Sequence, residues 1–151
     1  MNVVPPSAHS AQSRSAQVPD ANANASANAK PAQPPTLDTC VITLEDERYP
    51  ALLRAIHDPP PQLYVRGDPA ALLRPQLAIV GSRKASPAAL RLCSLFAAQL
   101  SEAGLCICSG LALGIDGAAH RGALDAGGHS VAVMANGVDS IYPRRHQALA
   151  V

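Results

Sequence analysis

The sequence predicts an α/β protein in which a parallel sheet is flanked by helices. From residue 77 onward, short apolar segments alternate with longer segments of helical periodicity, and the connections between them are short. Residues 105–108 form an apolar run without a charge, which is typical of a strand buried on both faces. A strand-helix-strand-helix-strand order with short connections predicts parallel strands joined by right-handed crossovers.

Composition limits the class of protein. The chain has 151 residues and a formal net charge of +1, and its hydrophobic fraction of 48% includes much alanine but only 3% aromatic residues. Its four cysteines form no Cys-x-x-Cys pair and accompany no histidine-rich stretch, so we expect no metal site. The sequence shows neither a signal peptide nor a long apolar span. We therefore expect a protein of the reducing cytoplasm without membrane contact.

The chain divides into three regions. Residues 1–36 contain few large apolar side chains and are predicted to be a disordered low-complexity segment. A targeting peptide is the alternative, which the scarcity of basic residues disfavours. Residues 37–74 are predicted to form a short α/β extension, with a helix at 49–56, stopped by prolines, and a strand at 63–65. Residues 75–151 are predicted to form the core.

The core begins with a predicted buried strand at residues 77–80. Ser86 is placed to cap the following helix, with Pro87 at the first helical position, and Gly104 ends that helix. Apolar side chains at helical spacing predict one buried stripe along it, formed by Leu90, Cys93, Phe96, Ala97 and Leu100.

The second half of the core starts with a strand at residues 105–108. Asp116 is placed to cap a helix that runs from residue 117 to about residue 126, and two glycines stop it. Residues 130–134 are predicted to be the third strand. Small side chains on the inner side of the second helix would let it lie close to the sheet; they are Ala119, Ala123 and Ala126.

Three loops are expected to meet at the carboxyl edge of this sheet, where ligands bind in open α/β folds. They are residues 81–86, 109–116 and 135–143. The first two carry glycine with a hydroxyl residue, and a helix N-terminus follows the second, so the pattern favours a phosphate-binding site. The alternative is that the glycines only permit tight strand-to-helix turns.

Several side chains are candidates for chemistry at this edge. Arg83 is placed to grip a phosphate bidentately beside Ser82, the alternative being a solvated surface arginine. Asp116 and His120 share a helix face; we favour capping and packing over a metal or acid–base pair. Residues 75–151 hold six basic and four acidic side chains, which is compatible with nucleic acid but does not require it. Further cations that would extend a positive track are Arg121, Arg144 and Arg145.

Common catalytic signatures are missing from the sequence. There is no Gly-x-x-x-x-Gly-Lys-Ser/Thr loop, no Gly-x-Gly-x-x-Gly after the first core strand and no Gly-x-Ser-x-Gly elbow. We therefore expect no catalytic residue, no cofactor and no enzyme activity. Because aromatic residues are scarce, DNA contacts would be mainly to phosphates.

Motifs spread over residues 49–151 together resemble one family. They are Tyr49-Pro50 with Leu53, Asp58-Pro59-Pro60, Leu63-Tyr64, Gly67-Asp68, Ala78-Ile79-Val80-Gly81-Ser82-Arg83, Ser109-Gly110-Leu111-Ala112, Gly114-Ile115-Asp116 with Ala119-His120, and Gly137 with Asp139 and Tyr142-Pro143. In this order they closely resemble the DprA/Smf family of DNA-processing proteins.

The resemblance implies an extended Rossmann-like parallel sheet with flanking helices. It also implies binding of single-stranded DNA, formation of a homodimer and loading of RecA during natural transformation. Loop bracing would fall to Asp116 and His120. The DNA- or phosphate-binding residues implied are Gly81, Ser82, Arg83, Lys84, Ser109, Gly110, Gly114 and Arg121.

The sequence departs from the family pattern in three ways. Leu113 stands where the family usually has a basic residue, and the helical domain that precedes the core in many relatives has no counterpart. The later strands of the family are absent after Val151, so we expect a truncated core with only the first half of the sheet, an unpaired edge and uncovered apolar surface. A non-functional fragment is one alternative. A phosphoribohydrolase-like enzyme is another, although the Pro-Gly-Gly-x-Gly-Thr-x-x-Glu loop associated with that class is absent.

Overall fold

The computed structural model describes residues 2–4 and 38–150, with the side chains of residues 2–4 excepted. Within these residues, six strands form one mixed sheet in the order β2-β3-β1-β6-β5-β4. The strands are β1 Asn2–Val4, β2 Thr39–Thr43, β3 Gln62–Arg66, β4 Gln76–Ala78, β5 Cys106–Ser109 and β6 Ser130–Ala132. The helices are α1 Ala51–Arg54, α2 Pro87–Glu102 and α3 Ile115–Asp125, with 3₁₀ segments at Pro69–Leu73 and Arg144–Leu149.

The predicted parallel core is confirmed. β4 pairs in parallel with β5, and β5 pairs in parallel with β6. α2 connects β4 to β5 and α3 connects β5 to β6, and the two helices pack against each other. This arrangement places the chain segments after β4, β5 and β6 at the same edge of the sheet.

The N-terminal region differs from the predicted disordered segment at residues 2–4. These residues form β1, which pairs antiparallel with β6 and parallel with β3. Since β3 and β6 would otherwise each have an open edge, β1 joins the antiparallel pair β2–β3 to the parallel core. The rest of the predicted disordered segment, residues 5–36, lies outside the described residues.

The prediction of a buried first core strand is wrong. β4 lies at the end of the sheet, and all of its residues are exposed. Its length is also shorter than predicted, since Val80 lies outside the strand and is 72% exposed. An apolar run has the same appearance at an edge as in the centre of a sheet, because burial depends on neighbours that the run does not encode.

The ends of α2 are those that the sequence predicts. The Ser86 hydroxyl accepts a hydrogen bond from the Ala89 N–H (3.2 Å), Pro87 is the first helical residue, and Gly104 after the helix has a φ of 92°. The buried stripe is narrower than predicted. Ala97 is fully buried, whereas Phe96 is 56% exposed and does not belong to the core.

α3 begins earlier than predicted, and Asp116 does not cap it. The cap position is Gly114, which has a φ of 85° and supplies no side-chain hydrogen bond. Asp116 lies inside the first turn instead. Further along, a Cβ atom at Gly122 would overlap the carbonyl oxygen of Ser94 in α2, so glycine allows the two helices to approach closely.

The sheet carries a core on each face. On the helix side, Ile107 packs with small residues of α2 and α3, namely Ala97, Ala119 and Ala123. On the opposite side, Cys106 and Val131 pack with residues of the extension such as Tyr49, whose hydroxyl donates to the Pro60 carbonyl (2.8 Å). Burial raises the pKa of the Cys106 thiol to about 11, which fits a packing role. Among the described helices, none combines the length and hydropathy that crossing a bilayer requires.

Candidate functional site

The loop after β4 and the loop after β5 are in direct contact. The Ile115 N–H donates to the Ser82 carbonyl oxygen (3.2 Å), which ties the first loop to the start of α3. A Cβ at Gly114 would overlap that same carbonyl, and a Cβ at Gly81 would lie 2.9 Å from the Ile115 side chain. Both glycines are therefore needed for the close approach of the two loops.

The cations of the first loop face solvent. Arg83 and Lys84 are exposed, and the Lys84 N–H donates to the Ser82 hydroxyl (3.1 Å), which closes a tight turn. Within the described residues, the salt bridge observed is Arg48–Asp46, and it lies outside these loops. Arg83 and Lys84 thus present charges that no carboxylate of the described residues neutralises.

The N-terminus of α3 is largely occupied by the protein itself. The Ile115 N–H binds the Ser82 carbonyl, and the Gly117 N–H donates to the Ala112 carbonyl (3.1 Å). Fewer free N–H groups therefore remain at this helix start to bind an anion than the sequence predicts. Arg83 and Lys84 of the first loop present exposed cationic side chains at this edge, and these can attract an anion.

Asp116 holds the second loop in place. Its Oδ2 atom accepts a hydrogen bond from the Gly110 N–H (3.1 Å), and the carboxylate is buried. The bond spans the turn between the end of β5 and the first turn of α3. This is the contact that a loop-bracing role requires, and it also means that the Gly110 N–H is engaged internally.

The Ser109 side chain forms a hydrogen bond within the fold. It is 3% exposed, and its hydroxyl donates to the Ile79 carbonyl oxygen (2.6 Å), so it fastens the segment after β4 to the end of β5. A phosphate contact through this hydroxyl would require the bond to break. The sequence places a serine at the carboxyl edge but does not distinguish a serine that faces solvent from one that faces its neighbouring strand.

The third loop meets the second through Leu111. Leu111 is fully buried with a φ of 62°, and the cluster that contains it is packed by Ile141 of the third loop and by Met134, just before that loop. His146, in the segment that follows this loop, donates from Nδ1 to the Leu111 carbonyl (2.9 Å). All three predicted loops therefore contribute to one edge.

His120 braces the sheet rather than the loop. Ser130 Oγ donates its hydrogen to the Ile107 carbonyl (2.9 Å), so it accepts the hydrogen bond from His120 Nδ1 (2.6 Å). His120 Nε2 is buried without a partner in the described residues. Burial lowers the pKa of His120 to about 4 despite the opposing effect of Asp116, while His146 and Arg121 lower it further.

The remaining cations lie around the edge rather than inside it. Arg121 is exposed on the second turn of α3, and Arg144 and Arg145 are exposed in the 3₁₀ segment after the third loop. His146, between these arginines and α3, was missed by the sequence analysis. A single histidine beside two arginines gives no periodic signal, although its ring occupies the space that a Cβ at Gly117 would need.

The geometry defines a class of site. Two glycine-containing loops and a helix start are locked together by backbone contacts, and an arginine and a lysine project from them into solvent. Such a site suits phosphate groups of an extended ligand. Within the described residues, no group of three or more His, Cys, Asp or Glu side chains is arranged to hold a metal ion.

Comparison with known proteins identifies the family. A family model described as DNA recombination-mediator protein A matches residues 40–151, and the chain belongs to this family. Protein Smf of Escherichia coli is 47% identical over 110 residues, which cover 73% of this chain and 29% of that protein. The DNA processing protein DprA of Streptococcus pneumoniae is 40% identical over 108 residues, which cover 72% of this chain and 38% of that protein.

Solved structures agree with this family. The X-ray structure of DprA from S. pneumoniae superposes with a TM-score of 0.70 at 36% identity, covering 76% of this chain and 40% of that chain. A DprA structure from Helicobacter pylori, described for its single-stranded DNA binding mode, gives a TM-score of 0.65 at 29% identity and covers 75% and 50%. The chain therefore spans well under two thirds of the length of these relatives.

Proposed function

We propose that this chain binds single-stranded DNA through the loop after β4, as a recombination mediator of the DprA type. The observation that carries the proposal is the exposed pair Arg83 and Lys84 on a loop locked against α3. Arginine and lysine side chains on a rigid loop complement the negative charge of a phosphate backbone. The H. pylori relative, described for its single-stranded DNA binding mode, supports DNA as the ligand.

The DNA contact is expected to be to phosphates and insensitive to base sequence. Arg121, Arg144 and Arg145 are exposed and would add positive charge to the contact with DNA. Because each neutralised phosphate releases counterions, the affinity should fall as the salt concentration rises. Leu113, exposed in the second loop, would contribute no charge to this contact.

Fluorescence anisotropy with a labelled oligothymidylate tests the proposal at low and at physiological salt. Arg83→Glu should weaken binding at least about tenfold and make log K less salt-dependent, with a slope change of about 0.7 for each lost phosphate contact on a single strand. Arg74→Glu is the matched control, because it makes the same charge change beside the opposite end of β4. Equal effects of the two substitutions, or binding of the unaltered chain that ignores salt, would reject this site.

We also propose that the DNA-bound protein delivers single strands to RecA and protects them during natural transformation, as a homodimer. The family membership of residues 40–151 supports this proposal. The 110 matched residues cover 29% of E. coli Smf, so the test asks whether this chain by itself has these functions. The test is the rate of RecA filament assembly on single strands coated with single-strand-binding protein, which should rise with the unaltered chain and not with Arg83→Glu.

A further inference from the structure

An asparagine–glycine pair lies in the third loop at Asn136 and Gly137. The chain has five asparagines, and the other four are followed by alanine or valine. Because glycine has no Cβ atom, it leaves the side chain of the preceding asparagine an open approach to the next backbone nitrogen. The pair is therefore the place in this chain where an asparagine side chain can react most readily with its own backbone.

The backbone around this pair is open to solvent. Both residues are exposed, and Gly137 has a φ of 74°. Among the described residues, a Cβ atom at Gly137 would meet no heavy atom within 4 Å apart from those of its chain neighbours. Backbone nitrogens inside a helix or a strand are held by hydrogen bonds, whereas this one lies in the irregular segment after β6. The pair can therefore reach conformations that a regular element would prevent.

The Asn136 side chain closes the third loop. Its Nδ2 group donates a hydrogen bond to the Ser140 carbonyl oxygen. Between these residues, Val138 is buried, and its carbonyl oxygen accepts a hydrogen bond from Arg66 Nη1 (3.3 Å). The Asn136 bond is exposed, and an exposed hydrogen bond competes with water. When it opens, the side-chain amide is free to turn toward the backbone while Val138 keeps the loop attached to β3.

We propose that Asn136 is a site of spontaneous deamidation. The Gly137 nitrogen attacks Cγ of Asn136, so that a new C–N bond closes a succinimide ring and the bond between Cγ and Nδ2 breaks. The side-chain nitrogen leaves as ammonia, together with the proton that the Gly137 nitrogen gives up. Water then opens the ring at either carbonyl, which gives aspartate or, with the backbone running through the side chain, isoaspartate. Either product carries a negative charge that asparagine lacks.

This modification would change the third loop in two ways. A carboxylate at residue 136 has no hydrogen to donate, so the bond to the Ser140 carbonyl is lost. The new charge also lies in the same loop as the exposed Asp139 carboxylate, and the two repel each other. Because the third loop lies at the edge proposed to bind DNA, a negative charge there should weaken the attraction for phosphates. This last consequence rests on the proposed function.

Peptide mapping by mass spectrometry tests the site on the full chain, incubated at mildly alkaline pH, where the Gly137 nitrogen gives up its proton more readily. Aspartate and isoaspartate should accumulate at Asn136 at least about tenfold faster than at Asn22, Asn24 or Asn28, each of which precedes alanine. Gly137→Ala should remove this difference. If that variant does not fold, as judged by circular dichroism, Asn136→Gln replaces it and should stop product formation at this position. Equal rates at the four asparagines, or aspartate without isoaspartate, would overturn the inference.

Asn136→Asp measures the effect of the modification on DNA binding, with Gln99→Glu as the matched control. Gln99 is exposed near the C-terminal end of α2, away from the three loops, and its substitution makes the same change from amide to carboxylate. In the anisotropy assay, Asn136→Asp should weaken binding of the oligothymidylate several-fold, whereas Gln99→Glu should leave it unchanged. Equal effects would overturn the link between this modification and DNA. Absence of binding by the unaltered chain would overturn the proposed function and with it this link, whereas the mass spectra decide the modification independently.

Discussion

The buried imidazole of His120 binds a proton less readily than an exposed imidazole does. Its ring is fully buried between α3 and β6, and its pKa lies at about 4 rather than 6.5. In the folded state the ring is therefore neutral, and its Nδ1–H group donates a hydrogen bond to the Ser130 hydroxyl. Among the charged and titratable groups around the His120 ring, Asp116 favours protonation, whereas His146 and Arg121 oppose it.

We predict that this histidine makes stability fall on acidification. The unfolded chain takes up the proton near pH 6.5 and the folded chain near pH 4, so the contribution is complete above pH 6.5 and is lost as pH falls toward 4. The loss between about pH 7.5 and about pH 4.5 is about 2 to 3 kcal/mol, measured by urea unfolding. His120→Gln should be less stable at neutral pH and show a flatter dependence, whereas His57→Gln, at an exposed site, should keep the slope. An unchanged slope in His120→Gln would contradict the assignment.

The roles of single polar residues were the hardest features to predict from sequence. Asp116 fits the pattern of a helix cap, but Gly114 takes the cap position because the tight contact with Ser82 starts the helix two residues earlier. Ser109 fits the pattern of a phosphate contact, but the sequence does not show that its hydroxyl donates to the Ile79 carbonyl. Neither hydrogen bond could be predicted, because a side chain's partner depends on which strands and loops become neighbours.

At the level of elements, the contact between the loop after β4 and the start of α3 depends on a glycine. Gly114 combines a φ of 85° with a position against the Ser82 carbonyl. Gly127, after the end of α3, has a φ of 71° but no atom within 4 Å of a Cβ. Comparing substitutions at the two glycines therefore distinguishes the cost of a left-handed backbone conformation from the cost of steric overlap.

We predict that Gly114→Ala costs at least about 3 kcal/mol of unfolding free energy, whereas Gly127→Ala costs about 1 to 2 kcal/mol. The difference arises because alanine at residue 114 must displace the backbone of the first loop, while alanine at residue 127 bears only the left-handed conformation. Chemical denaturation of both variants measures it. If the two costs are equal, the contact between the loops does not stabilise the fold.

Most elements of the core were predictable because each carries a local signal. The Ser86–Pro87 start and Gly104 end of α2 are fixed by capping and turn chemistry, and the prediction is confirmed at both ends. The exposure of Phe96 and of β4 was not predictable in the same way. Apolar periodicity indicates that a face is to be covered but does not say whether the covering segment is present.

At the level of the whole molecule, the sequence predicted neither β2 nor β1, and the strand that joins the two parts of the sheet is β1. Its three residues lie in a region of low-complexity composition, and the strand exists only because β3 and β6 present open edges on either side. The pairing of β1 with β3 and β6 joins residues that are far apart in the sequence, so no local sequence pattern predicts it. The parallel core and β3 were predictable from the sequence, whereas β2 and the connection through β1 were not.

Deleting residues 2–4 should separate these two parts of the sheet. β1 pairs with β6 at Ala132, Val131 and Ser130 and with β3 at Arg66, so its removal opens both edges. With a few backbone hydrogen bonds at about 1 kcal/mol each, we expect a loss of about 2 to 4 kcal/mol in unfolding free energy. Hydrogen exchange should accelerate in β6 and β3 but not in α2, which packs against α3 and β5. Exchange rates and stability that match the intact chain would show that β2 and β3 dock on the core without β1, through the apolar cluster that contains Cys106, Val131 and Tyr49.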